Sequence, residues 1–402
     1  MEVTFNPDHA CPRCMQENQN QNEVCPHCGF YLPAYKPLPH HLQMYTILKG
    51  RYLLGSVLGE GGFGITYCAY DLAYNRRVAI KELFIVGVVS RQNSRTALVD
   101  TSTGLQRYYQ ECRNKFLQEA RVLQSLQDKS GVVDIYEYFQ ENDTAYIVME
   151  YLDGVDLRTF LKENGGKISY ESTFCFLRPI MKSMMEIHRS GIIHRDISPD
   201  NIRYLTNKRM KLMDFGSAKS TATEHSDSVM ILFKPGYTPP EQYASGYMVG
   251  PWMDVYAMAA TIYRCITGKT PKASVKREND EDLDSPRSLG ADISPEVEQV
   301  ILRGMALDPE KRYLDMRAFY EALKAASPAP ALSVLPNTPE PAAEEALEEG
   351  EPFQGGAVVY DEEYRKLLED VDKKKKNYTW VYGLVVVELI LIVFFLFRLL
   401  QH

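Results

Sequence analysis

A short polar segment near the middle of the chain constrains its fold and its chemistry more than any other feature. It runs from His194 to Asn201 and has the sequence HRDISPDN. Asp196 can accept the proton of an incoming hydroxyl group, and Asn201 can turn back to hold a metal ion on a phosphate chain. The spacing of these two side chains therefore predicts a loop that serves phosphoryl transfer.

A glycine-rich segment, Leu58 to Tyr67, predicts the element that binds the phosphates. Its pattern, G-x-G-x-x-G, also occurs in dinucleotide-binding folds, where a helix follows the glycines. Here the apolar residues on both sides predict a strand–loop–strand hairpin instead. The candidate nucleotide-binding residues of this segment are Leu58, Gly59, Gly61, Gly62, Phe63, Gly64 and Thr66.

Three further charged residues complete a candidate nucleotide site. Lys81 ends the motif V-A-I-K, in which the lysine binds the α- and β-phosphates of ATP. Glu119 lies in an amphipathic stretch that predicts a helix, and we expect it to pair with Lys81. Asp214, in the motif M-D-F-G, is expected to bind Mg²⁺ together with Asn201.

Residues 50–325 resemble the eukaryotic-like serine/threonine protein kinases of bacteria. The motifs above carry the resemblance, together with Glu241 in P-P-E, Asp254 and Arg312. The resemblance implies an α+β fold of two lobes, Mg-ATP as the phosphate donor, and serine or threonine of proteins as the acceptor. It also implies that Asp254 braces the catalytic loop and that Glu241 and Arg312 form a buried structural ion pair.

The resemblance assigns roles to the candidate site residues. The catalytic residues are Asp196, Lys81, Asn201 and Asp214, of which the last two bind magnesium. The residues assigned to ATP are those of the glycine-rich segment together with Ala79, Lys81, Glu119, Glu150, Leu152, Asn201 and Asp214. The backbone of Glu150 and Leu152 is expected to bind the edge of adenine. Asp156 is either a ribose contact or a solvated loop acid.

Two positions depart from the pattern of the family. Ser198 stands where most of these kinases carry a lysine that steadies the γ-phosphate, and Lys234 stands near a usual threonine. Our hypothesis is that Lys234 supplies the missing cation as a further catalytic residue, because positioned cations neutralise developing phosphoryl charge. The alternative is that Lys234 is a solvated lysine of the activation segment.

Other parts of the kinase-like region have features without an assigned role. Residues 86–110 form an insertion between Lys81 and Glu119, and Arg203 lies where an apolar residue is usual beneath adenine. Arg195 can pair with a phosphate on the activation segment, which indicates control by phosphorylation. The candidate acceptors are Thr221, Thr223, Ser226 and Ser228.

Two C-P-x-C pairs near the N-terminus predict a metal site within residues 8–31. Cys11, Cys14, Cys25 and Cys28 can place four thiolates around a tetrahedral zinc ion. The segment resembles a short zinc ribbon, in which structural Zn²⁺ holds the fold together. A docking module and a redox switch are the alternatives. A proline-containing connector, residues 32–49, joins it to the kinase-like region.

The C-terminal part changes character twice. Residues 326–377 are rich in Pro, Ala and charged residues and predict a disordered linker. Residues 378–400 form an apolar run long enough to span a bilayer as one helix. The basic run Lys373–Lys376 before it predicts that the kinase-like region and the N-terminus lie in the cytoplasm, with the chain anchored in the cell membrane.

Within that run, Glu388 either bonds a second helix, for example in a homodimer, or is a tolerated protonated acid. A net charge of −8 gives no indication of a nucleic-acid partner. The sequence therefore predicts a membrane-anchored serine/threonine kinase that acts on proteins. The alternatives are a pseudokinase and a zinc-ribbon scaffold that transfers little phosphate.

Overall fold

The computed structural model describes residues 9–18, 23–91, 96–99, 103–126, 130–215, 219–220, 233–243 and 248–327. The predicted phosphorylation sites, the linker beyond residue 327 and the predicted membrane span lie outside these ranges. None of the described helices combines the length and the apolar character that crossing a membrane requires.

An antiparallel sheet of six strands forms the N-terminal lobe, in the spatial order β1-β2-β3-β4-β8-β7. These strands are β1 (Ile47–Leu48), β2 (Tyr52–Gly61), β3 (Gly64–Asp71), β4 (Arg76–Leu83), β7 (Ile135–Glu141) and β8 (Thr144–Glu150). The hairpin of β2 and β3 pairs Gly61 with Gly64 across the turn, so the predicted strand–loop–strand hairpin is confirmed. The helix α1 (Thr103–Ser125) carries Glu119, as its amphipathic pattern predicts.

Helices form most of the C-terminal lobe. They are α2 (Leu157–Glu163), α3 (Tyr170–Arg189), α4 (Pro251–Thr267), α5 (Pro295–Gly304) and α6 (Met316–Ala326). Ser169 caps the N-terminus of α3 by accepting a hydrogen bond from Ser172 N, and Gly268 ends α4 with a left-handed backbone, φ 75°. Nearly every residue of α4 is buried, so this helix forms the centre of the lobe.

Short strands between the lobes carry the catalytic segments. They are β9 (Gly154–Asp156), β10 (Ile192–Ile193), β11 (Ile202–Leu205), β12 (Met210–Leu212) and β13 (Lys219–Ser220). β11 pairs with both β9 and β12, which joins the end of the hinge to the segment after Asn201. The catalytic loop therefore begins at β10 and ends at β11, with both ends held by strand pairing.

The insertion of residues 86–110 contains a small two-stranded sheet, β5 (Val89–Ser90) and β6 (Leu98–Val99), and the first turns of α1. Arg91, the residue after β5, forms an ion pair with Glu82, and both side chains are fully buried. Tyr67 and Tyr146 each donate a hydroxyl hydrogen bond of 3.0 Å to the same carboxylate. Since breaking such a pair leaves an unpaired buried charge, the insertion is fixed to the sheet.

The cysteine-containing segment packs on the N-terminal lobe. Ala10 and Met15 join Leu53 and Cys68 in a small apolar cluster of their own. Gly55 lies directly beneath this segment, because a Cβ there would stand only 2.0 Å from the carbonyl oxygen of Pro12. The absence of a side chain at Gly55 therefore permits the close contact between the segment and strand β2.

Candidate active site

Asp254 fixes the backbone of the catalytic loop. Its Oδ2 accepts a hydrogen bond of 2.8 Å from the amide of His194, and its Oδ1 accepts one of 2.8 Å from the amide of Arg195. Arg195 has φ 67°, a left-handed conformation that costs a non-glycine residue about 1–3 kcal/mol. A further bond from His188 Nε2, at 2.9 Å, helps hold the Asp254 carboxylate. The predicted brace is confirmed, and it stabilises the turn that presents Asp196.

Lys234 and Asn201 meet at the carboxylate of Asp196. Lys234 Nζ lies 3.0 Å from Asp196 Oδ1 and donates a hydrogen bond of 3.0 Å to the Oγ of Ser198. Asn201 Nδ2 donates to the Oδ2 of Asp196, at 2.8 Å, and to its carbonyl oxygen, also at 2.8 Å. The structure therefore places the ammonium group of Lys234 beside the position where the sequence lacks a lysine.

The amide orientation of Asn201 follows from its two acceptors. Only Nδ2 can donate to a carboxylate and a carbonyl at once, so Oδ1 points away from Asp196. That oxygen is a hard ligand of the kind that Mg²⁺ prefers, as is the carboxylate of Asp214. The chemistry of the two predicted magnesium ligands therefore fits the metal.

Two carboxylates of the site respond in opposite ways to their surroundings. Burial raises the pKa of Asp196 above its ordinary value, although Lys234 partly offsets this effect. The positive charge of Lys81 holds the pKa of Asp214 below its ordinary value, in spite of burial. Asp196 is thus the more basic of the two, as proton acceptance requires.

The partner of Lys81 differs from the prediction. Lys81 Nζ bonds the Oδ1 of Asp214, and no ion pair joins Lys81 to Glu119 in the part of the chain that the structure describes. Burial raises the pKa of Glu119 to about 8, more than the nearby charge of Lys81 lowers it. In this conformation the expected Lys81–Glu119 pair is not formed, because the ammonium group of Lys81 lies on Asp214 instead.

Strand β3, which follows the glycine-rich turn, lies beside strand β4, which carries Lys81. Thr66 pairs with Lys81, and Ala79 pairs with Met149 next to the hinge. Gly64 cannot be replaced without a shift, since its Cβ would lie 2.4 Å from the carbonyl oxygen of Glu82. An added Cβ at Gly59 or Gly61 would meet nothing within 4 Å. Leu58, Gly62 and Phe63 complete the predicted loop at the β2–β3 turn.

Charged side chains surround the hinge that was expected to bind adenine. The carboxylate of Glu150 accepts a bond of 2.6 Å from Lys211, which also bonds Asp134. Arg203 donates to the carbonyl oxygens of Gly154, at 2.6 Å, and Leu152, at 3.5 Å. The unusual Arg203 thus ties strand β11 to the end of the hinge, a contact that the sequence did not reveal.

Two other sequence assignments resolve into structural roles. Asp156 is the N-cap of α2, and both of its carboxylate oxygens accept bonds from Thr159, so it is not simply a solvated acid. The ribose contact stays a prediction. Glu241 and Arg312 form a two-armed ion pair with distances of 2.6 and 2.9 Å. The prediction of a buried structural pair there is confirmed.

Comparison with known proteins agrees with this geometry. The protein kinase domain family matches residues 52–322. The chain belongs to the protein kinase family. Its kinase domain is also similar to a solved structure, the apo form of PpkA-294, with a TM-score of 0.60 and 31% identity over 71% of this chain and 99% of that one.

Serine/threonine-protein kinases of bacteria are among the relatives that match the chain. The serine/threonine-protein kinase PknB of Mycolicibacterium smegmatis is 31% identical over 67% of this chain and 42% of its own length. PrkC of Bacillus subtilis, also named a serine/threonine-protein kinase, is 30% identical over 66% of this chain and 39% of its own length. The chain thus spans about two fifths of the length of these relatives.

The four N-terminal cysteines of the kinase converge on one point. Their Sγ atoms all lie within 4.8 Å of one another, with distances of 3.7 Å for Cys11–Cys28 and 3.7 Å for Cys14–Cys25. A tetrahedral zinc ion with Zn–S bonds of about 2.3 Å separates its sulfur ligands by about 3.8 Å. The cluster therefore has the size and the donor set of a structural zinc site.

We predict one zinc ion per chain, lost in the double variant Cys14→Ser/Cys25→Ser. The melting temperature falls with it, because metal binding supplies folding free energy to so small a segment. Zinc is measured by mass spectrometry of the purified protein, and unfolding by calorimetry. Cys175→Ser, outside the cluster, is the matched control and keeps the metal. Equal zinc content in the double variant and the unmodified protein would contradict the assignment.

Proposed function

We propose that this kinase transfers the γ-phosphate of Mg-ATP to serine or threonine residues of other proteins. The observation that carries the proposal is the contact of Lys234 Nζ with both Asp196 and Ser198. It supplies a cation at the catalytic aspartate although the catalytic loop contains no lysine. PknB and PrkC are both named serine/threonine-protein kinases, which supports serine and threonine as the acceptors.

Each residue of the site has a role in this reaction. Asp196 orients the acceptor hydroxyl group and receives its proton, for which its raised pKa is suited. Lys234 stabilises the negative charge of the γ-phosphate as it is transferred. Asn201 and Asp214 hold Mg²⁺, which neutralises charge on the phosphates when it is bound with ATP. Lys81 is poised to bind the α- and β-phosphates.

The proposal extends to the ends of the chain. Zinc bound by the four cysteines holds the N-terminal ribbon together, which is supported by the spacing of their sulfur atoms. The apolar run 378–400 anchors the kinase in the cell membrane as a single-pass helix, supported by its length and by the basic run Lys373–Lys376 before it. Glu388 in this helix offers a hydrogen-bonding group to a second copy.

We predict that Lys234→Ala lowers kcat by about a hundredfold, as expected when one group that stabilises developing charge is removed. The KM for ATP changes much less, because the glycine-rich loop and the hinge, which are expected to bind ATP, remain intact. The measurement is transfer of radiolabelled phosphate to a generic protein substrate. Asp214→Ala gives the background rate, and Lys272→Ala, an exposed lysine paired with Asp282, is the matched control.

Two outcomes of this assay would contradict the proposal at different points. An unchanged kcat in folded Lys234→Ala would show that Lys234 is a surface lysine without a role in transfer. A rate in the unmodified protein no higher than that of Asp214→Ala would identify a pseudokinase or a scaffold instead. Circular dichroism of each variant shows whether it is folded.

We predict that the full chain sediments with membranes and resists extraction by alkaline carbonate, whereas a chain ending at residue 377 stays in the supernatant. The reason is that the apolar run accounts for the attachment. Immunoblots of the fractions provide the measurement, and crosslinking of Glu388→Leu against the unmodified chain tests self-association. Release of the full chain by carbonate would exclude a membrane-spanning helix.

A further inference from the structure

Strand β2, which leads into the glycine-rich loop, is contacted by the N-terminal segments at successive residues. The amide of Ser56 donates a hydrogen bond of 2.7 Å to the carbonyl oxygen of Pro12 in the ribbon. The amide of Val57 donates one of 2.9 Å to the hydroxyl group of Tyr35 in the connector. The pairing of β2 with β3 is irregular in this region, so these two amides can donate to the ribbon and to the connector instead of to β3.

The connector also reaches the loop itself, through Glu60. His40 Nε2 lies 2.7 Å from the Oε1 of Glu60, and His41 Nε2 lies 3.0 Å from its Oε2. Glu60 stands between Gly59 and Gly61, the first two glycines of the phosphate-binding pattern. Its side chain thus ties the phosphate-binding pattern, between its first two glycines, to the connector. We refer to this group of three residues as the histidine clamp.

The hydrogen bonding of His41 fixes its tautomer. The amide of Leu38 donates to Nδ1 of His41, at 3.1 Å, so that nitrogen carries a lone pair. In the neutral ring the hydrogen therefore lies on Nε2, where it is donated to Glu60. A metal ion on Nε2 would require the hydrogen on Nδ1 and would break the bond to Leu38. The histidine clamp is accordingly a hydrogen-bonded contact in preference to a metal site, although its atoms lie close enough for one.

The connector is itself firmly held at the clamp. The ring of His40 stacks on Phe84 with a centroid distance of 5.2 Å. Its carbonyl oxygen accepts a bond of 3.0 Å from Arg91, whose guanidinium group is buried against Glu82. The amide of Leu42 bonds the hydroxyl group of Tyr67, which donates to the same Glu82 carboxylate. The histidines therefore present their rings from a fixed backbone.

The charge of Glu60 makes its position consequential for nucleotide binding. Burial opposes its ionisation, but the hydrogen bonds from His41 and His40 hold the pKa of Glu60 below its ordinary value. An ionised carboxylate on a phosphate-binding loop repels a triphosphate unless its direction is controlled. The clamp turns this charge toward the connector and fixes the loop at the same time.

We propose that the ribbon and connector position the glycine-rich loop for ATP, with His40 and His41 acting through Glu60 as positioning residues. This inference rests on the proposed function, since it concerns the nucleotide that the kinase uses. On this proposal the N-terminal segments take part in the reaction and are more than a separately folded unit. They support strand β2 at two points: Pro12 contacts it where its pairing with β3 is irregular, and the histidine clamp contacts it at Glu60, next to the glycine-rich turn.

The test is the Kd of a fluorescent ATP analogue for the full chain, measured without phosphate transfer. In His40→Ala/His41→Ala we expect the Kd to rise roughly two- to fivefold, the range for partly exposed charged hydrogen bonds. Backbone amides of residues 57–64 then exchange hydrogen faster. Lys49→Ala is the matched control, because Lys49 joins the connector to Glu137 away from the loop, and it leaves the Kd unchanged.

A double-mutant cycle shows whether the histidines act through Glu60. In the Glu60→Ala background the two histidine substitutions should have no further effect on the Kd, because their partner is gone. A full additional effect there, or an unchanged Kd in the double histidine variant, would overturn the positioning role. A Kd that responds to added Zn²⁺ in the unmodified chain but not in the histidine variant would replace the clamp with a metal site. If the unmodified chain binds no nucleotide, the proposed function itself fails.

Discussion

The carboxylate of Asp196 lies between Asn201 of its own loop and Lys234 of the activation segment, and the active site depends on this contact. Moving a carboxylate out of water costs several kcal/mol unless charges and hydrogen bonds offset the cost. Here Lys234 offsets it from one side and Asn201 from the other. The same arrangement keeps a positive charge within reach of a phosphate that approaches Asp196. Stability of the site and stabilisation of the transferred phosphoryl group therefore use one interaction.

This contact also explains how a serine can occupy position 198. Ser198 is completely buried and accepts a hydrogen bond from Lys234, so it receives the ammonium group instead of supplying one. The backbone of Lys234 is held in turn by the hydroxyl group of Thr238. The cation reaches the catalytic loop from the activation segment. The position of this ammonium group consequently depends on how the activation segment is folded. A lysine within the catalytic loop would not depend on that segment.

The sequence predicted those parts of the site that its motifs indicate or that its resemblance to bacterial kinases implies. The hairpin around Gly61, the brace from Asp254 and the Glu241–Arg312 pair belong to this group, and so does the proximity of Lys234 to Ser198. The partner of Lys81 could not be predicted, because motif spacing does not determine which of two nearby carboxylates, Glu119 or Asp214, the ammonium group of Lys81 contacts in the folded chain. The histidine clamp was also missed, since Glu60 between two glycines has the pattern of a solvated loop acid. Glu82 does carry a signal in the sequence, because it follows Lys81 in β4 and successive side chains of a strand point to opposite faces.

The most direct test of the role of Lys234 moves its positive charge from position 234 to position 198. Lys234→Thr alone should lower kcat about a hundredfold. Adding Ser198→Lys should restore kcat to within about tenfold of the unmodified kinase, because the charge again lies beside Asp196. The measurement is kcat for transfer of radiolabelled phosphate by the three folded proteins. If the double variant is no faster than Lys234→Thr, or if Lys234→Thr is as fast as the unmodified chain, the cation at residue 234 does not serve the reaction.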